Sequence, residues 1–440
     1  MSSASYVSKK LKPDSKAKAA FRVISGNFLE MYDFMIYGYY ASPIAKTFFP
    51  AGSPFASLML SLLVFGSGFL VRPLGGVVLG AYIDTHGRKK GLVLTLAMMA
   101  VGTVLVAAVP SYASIGPLAP VLVLAGRLLQ GFSAGVELGG VSVYLSEIAP
   151  DGKRGFYCAW QSASTQIAVM IAAVIGLSIN HLLTPTEVVQ WGWRVPFFVG
   201  CLIVPFLLHI RRSLEETDTF LSKSSHPSFS QILKSIWNHR SLMAGSIGMS
   251  VMTTVCFYTI TAYTPTFGRD VLGLSEGASL LVTLCIGLTN FIWQPISGAI
   301  SDRIGRRPLL IGATTVTVAV AYPAMYMLVH SPSFSMLLAV ELLFSFLYGM
   351  YNGTLIVSLL EIIPSDVRTS GFSFAYGLGL VLGGFTPALS TYFIHATGNK
   401  AMPAVWMSVA AACALVSTLL MLKNSKTGCS SIPSQSADAT

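Results

Sequence analysis

Twelve long apolar blocks are the feature that most constrains the fold of this chain. The hydrocarbon core of a bilayer is about 30 Å thick, so a helix that crosses it needs about 20 predominantly apolar residues. Only 10% of the 440 residues are charged, too few to cover soluble domains of this total length. The sequence therefore predicts an all-α polytopic membrane protein with twelve transmembrane helices. These spans, numbered one to twelve, are predicted at 21–44, 56–83, 91–110, 118–145, 155–182, 194–211, 241–264, 277–301, 308–329, 334–359, 369–395 and 402–422.

The positive charge of the chain lies mostly in alternate connectors between these blocks. The net charge is +10, and basic runs follow span two (Arg88-Lys89-Lys90) and span four (Lys153-Arg154). Lys and Arg concentrate in the cytoplasmic loops of membrane proteins, so the pattern predicts that both termini face the cytoplasm. Topology explains the excess charge, and no nucleic-acid partner is expected. The six cysteines show no metal-ligand spacing, so no metal site is expected either.

The longest polar stretch between spans divides the chain into two halves of six spans each. We expect a cytoplasmic tail at 1–20, an N-terminal half at 21–211, a cytoplasmic linker at 212–240, a C-terminal half at 241–422 and a disordered cytoplasmic tail at 423–440. Two motifs recur between the halves at nearly the same spacing. Their residues are Gly80, Asp84, Gly87, Arg88, Glu147 and Arg154 in the first half, and Gly298, Asp302, Gly305, Arg306, Glu361 and Arg368 in the second. Duplicated halves with a site between them are typical of alternating-access carriers.

These motifs, together with Arg127-Leu-Leu-Gln130 in span four, resemble the major facilitator superfamily. The string Asn27-Phe-Leu-Glu30-Met-Tyr-Asp33 in span one is similar to its metabolite–proton symporter branch. Within that branch, Gly-Val-Glu137-Leu-Gly-Gly resembles bacterial citrate and tricarballylate carriers. The resemblance implies the major facilitator fold, with two pseudo-symmetric six-helix halves. It also implies proton-coupled import of a tricarboxylate across a bacterial inner membrane by a carrier that functions as a monomer. A dicarboxylate such as 2-oxoglutarate, or an osmolyte such as betaine or proline, is the alternative substrate.

In that superfamily the repeated loops form a conformational latch between the halves on the cytoplasmic side, and the local chemistry here is compatible with that role. Gly80 and Gly298 are expected to permit close helix approach. A carboxylate such as Asp84 or Asp302 near the N-terminus of span eleven or span five would meet the positive end of its helix dipole. Small residues spaced every four along span four, from Gly131 to Gly139, predict tight packing against a neighbouring span.

Ionisable side chains near the middle of the spans suggest how ion transport is coupled to substrate transport. Each costs about 2.5–3.5 kcal/mol to insert, so each needs a partner or a function. The acids are Glu30, Asp33 and Glu137, and the cations are Arg72 and Arg127. Protonation of an acid would free an arginine for a substrate carboxylate, so proton and substrate would favour each other's binding. The alternative is that each arginine forms a static ion pair that only fixes helix packing.

Further candidates for substrate contact are polar residues at bilayer depth. An arginine can bind a carboxylate through two parallel hydrogen bonds, and neighbouring amides and hydroxyls can complete a pocket. Each amide or hydroxyl is equally consistent with an ordinary interhelical hydrogen bond. The candidate set is Asn27, Arg72, Arg127, Gln130, Gln161, Gln166, Asn290, Gln294, Tyr351 and Asn352. Glu341 in span ten lies nearer the end of its span, and the sequence assigns it no role.

The energy source is expected to be an ion gradient. The sequence contains neither a P-loop nor a dinucleotide-binding glycine motif after a strand, so no nucleotide or other cofactor is expected. The proton is the expected coupling ion, with sodium as the alternative. No nucleophile–base motif stands out, so the chain is not expected to be an enzyme. A transporter-like nutrient sensor is a third class, which would usually require a longer signalling extension.

Overall fold

The computed structural model describes residues 27–86, 88–135, 137–212, 234, 237–364 and 368–422. Twelve helical spans fill these ranges, in agreement with the predicted fold class. The predicted tails at 1–20 and 423–440, and nearly all of the linker, lie outside the described residues. Side chains of the apolar core meet between the spans, whereas leucines and valines such as Leu74, Val121 and Leu202 are exposed on the outer surface. This outer surface is the one that a bilayer would cover.

The N-terminal half contains spans one to six. Their helices are Asn27–Tyr39 and Ala41–Phe48 (span one), Pro54–Leu70 and Arg72–His86 (span two), Arg88–Ala108 (span three), Leu118–Ala134 and Glu137–Ile148 (span four), Arg154–Leu182 (span five) and Val195–Arg212 (span six). Short helices Tyr112–Ile115 and Pro185–Gln190 lie in connectors. Span two is interrupted at Val71, whose N–H bonds to the carbonyl of Phe69. The break immediately precedes Arg72-Pro73, because proline lacks an N–H and its ring crowds the preceding turn.

The C-terminal half contains spans seven to twelve. Their helices are Arg240–Tyr258, continued by helical turns to Val271 (span seven), Glu276–Ile304 (span eight), Arg306–His330 (span nine), Phe334–Ile362 (span ten), Arg368–Gly384 and Thr386–Thr397 (span eleven) and Met402–Met421 (span twelve). Span seven is longer than predicted. Its second part contains two π-helical segments, Thr259–Tyr263 and Phe267–Val271. Such segments are uncommon and often occur at functional sites.

Glycines bring backbones into contact at the positions that the small-residue pattern of span four predicts. A Cβ atom at Gly131 would fall on the backbone of Gly68 in span two, and one at Gly135 would fall on the carbonyl oxygen of Arg72. One at Gly139 would fall on Ser373 of span eleven. The stripe therefore packs against span two along most of its length and reaches the C-terminal half at its end.

The variant Gly131→Ala is expected to destabilise the protein, since the added methyl group has no space beside the Gly68 backbone. Overpacking of this kind costs about 1–3 kcal/mol. The matched control is Gly312→Ala in span nine, where a Cβ would meet no described atom within 4 Å. Thermal unfolding of the purified variants is the measurement. We expect a lower Tm for Gly131→Ala only, and equal Tm values would contradict the close contact.

Candidate functional site

A central cavity lies between the two halves. Its volume is about 40 Å³, and one water molecule needs about 10–15 Å³, so the cavity has room for a few waters. Spans one, two and five supply one side, and spans seven, ten and eleven the other. The lining residues are Glu30, Met31, Arg72, Gln161, Ser162, Thr165, Thr253, Thr254, Phe257, Tyr258, Tyr348, Tyr376 and Leu380.

An ion pair between Glu30 and Arg72 forms part of the cavity wall. The Arg72 Nη1 atom lies 2.6 Å from Glu30 Oε1, and both side chains are almost completely buried. The Arg72 guanidinium also lies 4.6 Å from the ring centroids of Phe34 and Phe69, where cation–π attraction adds to its stability. The break in span two places this guanidinium at the start of a helix beside the cavity. The predicted pairing of a span-one acid with a span-two cation is therefore present.

Asp33 belongs to a second polar cluster, which does not line the cavity. Its Oδ2 accepts hydrogen bonds from the Thr103 hydroxyl and from Gln130 Nε2, the latter at 3.1 Å. Gln130 Oε1 in turn accepts from Arg127 Nη1 at 2.7 Å. Arg127 is fully buried and stacks on Phe34, with 4.0 Å from its Cζ to the ring centroid. Because Asp33 and Arg127 are joined through Gln130, this cluster couples an acid to a cation without direct contact.

The two candidate acids of span one therefore have separate environments. Glu30 and Asp33 are three residues apart on one helix, so the sequence places them on the same face. In the structure Glu30 contacts span two at the cavity, and Asp33 contacts spans three and four. A rotation of about 60° between such positions is enough to direct them towards different neighbours. The side chains of Asn27 and Glu137 lie outside the described part of the chain.

Candidate amides of the C-terminal half bond to residues of the cavity wall. Asn352 Nδ2 donates to the Tyr348 hydroxyl at 3.2 Å and to Gln294 Oε1 at 3.3 Å. Its Oδ1 accepts from the Thr253 hydroxyl at 2.7 Å. Tyr351 instead donates to the carbonyl oxygen of Met249 at 2.8 Å, away from the cavity. Asn352 is thus placed to orient two wall residues.

The candidates in spans five and eight differ in position. Gln161 lines the cavity, and its Oε1 accepts from the Ser162 hydroxyl at 2.9 Å. Gln166 and Asn290 are fully buried outside the cavity wall, and their side-chain amides have no hydrogen-bond partner among the described residues. Only the first of the two glutamines therefore contributes to the cavity.

Several cavity residues were not among the sequence-based candidates, chiefly the aromatic and threonine side chains Thr253, Thr254, Tyr258, Tyr348 and Tyr376. Tyr348 precedes Asn352 by four residues, a spacing that places both on one helix face. The sequence therefore contained a signal that could have identified Tyr348 as a cavity residue. The others carry no sequence signal that distinguishes them from the many hydroxyl groups in other spans.

The second copy of the repeated loop forms a latch, defined here as Asp302, Arg306 and Glu361 with the backbone of Gly155 and Phe156. The Asp302 carboxylate accepts from the N–H groups of Gly155 at 2.8 Å and Phe156 at 3.0 Å, at the N-terminus of span five. Arg306 binds Asp302 at 2.8 Å and Glu361 at 3.1 Å. The carboxylate thus meets the positive end of a helix dipole, as predicted.

Other residues of the two motifs take no part in the described latch. Arg154 and Glu147 are exposed, whereas Arg368 donates to the carbonyl oxygen of Ile363 at 3.4 Å. Gly298 lies against the backbone of Gly155, as expected, and Gly305 has φ of 91°, which favours glycine. The remaining motif residues, Gly80, Asp84, Gly87 and Arg88, belong to the first copy of the loop.

The first copy differs from the second at its glycine. A Cβ at Gly80 would meet no described atom within 4 Å, so the close helix approach expected at this position stays a prediction. Gly87 and the side chains of Asp84 and Arg88 lie outside the described residues.

Contacts between described residues join the two halves at both ends of their interface. Spans five and eight meet at the latch end, where the backbones of Gly155 and Gly298 are in contact. At the opposite end the rings of Phe55 and His395 stack with 3.7 Å between centroids, joining spans two and eleven. Gly38 of span one also packs against Ala262 of span seven. The cavity therefore lies between two regions where the halves are in contact.

The variant Asp302→Ala is expected to open the latch end. It removes the acceptor of two backbone N–H groups and one partner of Arg306, and a hydrogen bond to a charged group contributes about 1.5–3 kcal/mol. Pulsed electron spin resonance between labels at positions 151 and 303, in a cysteine-free background, measures the separation. A longer distance should become at least tenfold more populated. The control Asp270→Ala, which breaks an ion pair with Arg269 at the other end, should leave the distance unchanged.

Comparison with known proteins is consistent with this architecture. The family model of sugar (and other) transporters matches residues 19–427. A citrate-proton symporter of Klebsiella pneumoniae is 54% identical over 408 residues, 92% of this chain and 92% of that protein. The alpha-ketoglutarate permease of Escherichia coli (strain K12) is 31% identical over 407 residues, 91% of this chain and 93% of that protein. The crystal structure of a D-xylose-proton symporter has a TM-score of 0.76 at 17% identity, covering 93% of this chain and 97% of that one. The chain therefore belongs to the sugar (and other) transporter family of the major facilitator superfamily.

Proposed function

We propose that this protein imports citrate, or a closely related tricarboxylate such as tricarballylate, together with protons by alternating access. The observation that carries the substrate assignment is the 54% identity, over nine-tenths of both chains, to a citrate-proton symporter. The alpha-ketoglutarate permease, at 31%, is a more distant relative. The chain acts as a carrier and not as an enzyme, with a polycarboxylate as its small-molecule partner.

The Glu30–Arg72 pair in the cavity wall supports the coupling part of the proposal. While Glu30 is ionised, its charge neutralises Arg72, and an arriving polycarboxylate meets little net positive charge. Unit charges 4 Å apart interact by about 4 kcal/mol at an effective dielectric of 20, so the state of Glu30 strongly affects anion binding. Protonation of Glu30 releases the guanidinium for a substrate carboxylate. Proton and substrate then bind cooperatively, which is the thermodynamic basis of symport.

The Asp33–Gln130–Arg127 cluster supplies a second buried acid within the N-terminal half. The cluster does not line the cavity, so it does not contact the substrate directly. The Phe34 ring connects it to the cavity wall, because that ring contacts both Arg72 and Arg127. A proton bound at Asp33 would alter the charge balance around both guanidinium groups. We therefore assign direct substrate contact to Arg72 and Gln161. Arg127 and Gln130 act indirectly, from the neighbouring cluster.

The proposed setting is the inner membrane of a bacterium, where the protein functions as a monomer in the lipid bilayer. Both termini and the latch face the cytoplasm in this assignment. The positive charge in the connectors supports it, because basic loops remain on the cytoplasmic side. In this orientation the Phe55–His395 contact lies on the periplasmic side.

Uptake by proteoliposomes tests the proposal. Labelled citrate, tricarballylate, 2-oxoglutarate, betaine and proline are offered with an inward proton gradient, with and without a protonophore, and separately with a sodium gradient. We expect accumulation of citrate and tricarballylate that the protonophore abolishes. Accumulation of betaine instead, or citrate uptake indifferent to the proton gradient, would overturn the substrate or the coupling assignment respectively.

A further inference from the structure

Glu341 in span ten is a buried carboxyl group outside the cavity wall. Only 1% of the residue is exposed, and its Oε1 lies 3.2 Å from the hydroxyl oxygen of Thr264 in span seven. Its Oε2 has no hydrogen-bond partner among the described residues. No lysine or arginine forms an ion pair with it in the described ranges, whereas the acids Glu30 and Asp302 each bind an arginine. An ionised carboxylate in such surroundings is costly unless it is paired.

The two contacts of the Thr264 hydroxyl can both be hydrogen bonds when Glu341 is protonated. The Thr264 oxygen lies 3.2 Å from the carbonyl oxygen of Thr259 and 3.2 Å from Glu341 Oε1. A threonine hydroxyl has one proton, and a carbonyl can only accept. If Thr264 donates to Thr259, the contact with Glu341 is attractive only when Glu341 carries a proton and donates it to Thr264. A neutral carboxylic acid satisfies both contacts at once.

The site lies on the part of span seven that touches the other half of the protein. Thr259 begins the π-helical segment Thr259–Tyr263, within which Ala262 packs against Gly38 of span one. Tyr258, the residue before Thr259, contacts the rings of Phe65 and Phe69 in span two. Movement of one half against the other therefore displaces the backbone to which Thr264 is bonded.

We propose that Glu341 is a second proton-binding site of the transport cycle. It holds a proton in this conformation, in which span seven packs against span one, and releases it when span seven moves away, so the C-terminal half carries one proton in addition to that of the cavity pair. This inference rests on the proposed proton-coupled function. Sodium is a poorer occupant, because hard cations such as Ca²⁺ gather six or more oxygen ligands. The described hydrogen bonds bring together only the oxygens of Glu341, Thr264 and Thr259.

Other titratable groups at this end of the protein are not bonded to Glu341 among the described residues. Arg269 binds Asp270 at 2.7 Å and Glu276 at 3.2 Å, so its charge is already balanced. The Tyr263 hydroxyl accepts from Thr391 at 3.0 Å. The titratable side chains near the outer part of span ten include Tyr40, His181, Tyr263, Arg269, Asp270, Glu276, Cys285, Tyr322, Tyr326 and His330. None of them has a described hydrogen bond or ion pair to Glu341.

The proton-to-citrate ratio of the variant Glu341→Gln tests the inference. Glutamine has the shape of a protonated glutamate but cannot exchange a proton. The ratio is obtained in proteoliposomes from the membrane potential at which net citrate flux reverses. We expect the ratio to fall by one proton per citrate, with the citrate Kd changed less than threefold. An unchanged ratio in the variant, with the unsubstituted protein coupled, would overturn the assignment of Glu341 alone. A ratio of zero in the unsubstituted protein would overturn the proposed function.

Two further measurements keep the test decisive if Glu341→Gln transports poorly. The infrared difference spectrum between the purified protein and Glu341→Gln should contain the carbonyl band of a protonated carboxylic acid at neutral pH, and absence of that band overturns the assignment. The variant Thr264→Val should shift the pH at which the band is lost. Thr317→Val, which removes a hydroxyl bonded only within span nine at 2.8 Å, is its control and should not shift it. A band that responds to sodium instead of pH would also overturn the inference.

Discussion

Replacement of Arg72 by lysine is expected to weaken citrate binding by about 10- to 100-fold, because a guanidinium can bind a carboxylate through two parallel hydrogen bonds and an ammonium cannot. A hydrogen bond to a charged group contributes about 1.5–3 kcal/mol, and 1.4 kcal/mol corresponds to a factor of ten. Lysine preserves the charge opposite Glu30, so the change tests geometry alone. Isothermal titration of the purified variant with citrate measures the Kd.

The matched control for this substitution is Arg194→Lys. Arg194 also lies close to aromatic rings, 5.8 Å from the centroid of Phe48 and 4.9 Å from that of Trp193, but it does not line the cavity. Its replacement should leave the citrate Kd unchanged. An equal Kd for Arg72→Lys and the unsubstituted protein would remove Arg72 as the anchor for a substrate carboxylate.

Replacement of Glu30 by glutamine is expected to abolish proton-driven accumulation of citrate while preserving exchange of citrate across the membrane. Glutamine imitates the protonated acid, so Arg72 stays available for substrate and no proton has to bind first. Citrate affinity should therefore lose its dependence on the protonation of this site. Uptake under an inward proton gradient and counterflow without a gradient, measured in the same proteoliposomes, separate the two activities.

The control for Glu30→Gln is Glu187→Gln, which removes an acid outside the spans. The backbone N–H of Thr184 donates to Glu187 Oε2 at 2.8 Å and holds the pKa of that carboxyl below its usual range. This variant should accumulate citrate normally. If Asp33→Asn lost accumulation while Glu30→Gln retained it, the coupling proton would belong to the Asp33–Gln130–Arg127 cluster, and the role given to Glu30 would be wrong.

Much of the fold followed from hydropathy because a bilayer imposes a length on every apolar segment. The break before Arg72-Pro73 followed from the covalent structure of proline, and the binding of Asp302 at the start of span five followed from the helix dipole. Each of these features depends on a short stretch of chain and on the hydrocarbon environment, which is the same for every span. The repeated loops added the relation between the halves.

The arrangement of the candidate site was less predictable. Glu30 and Asp33 look equivalent in the sequence, yet one pairs with Arg72 at the cavity and the other joins Gln130 behind it. Glu341 received no role from its position in span ten, although it is buried without a described cation. These outcomes depend on how far each helix is rotated about its own axis and on which neighbour it meets.

The sequence alone determined that this chain crosses a membrane in twelve helices, that its halves are related, and that a few ionic groups lie at bilayer depth, because the cost of exposing polar groups to lipid acts on each segment separately. Only the tertiary structure decided which of those ionic groups face the cavity, which bond to one another and which stand apart. Side-chain packing between helices sets these relations, and packing depends on residues far apart in the chain, such as Gly131 against Gly68 and Gly155 against Gly298.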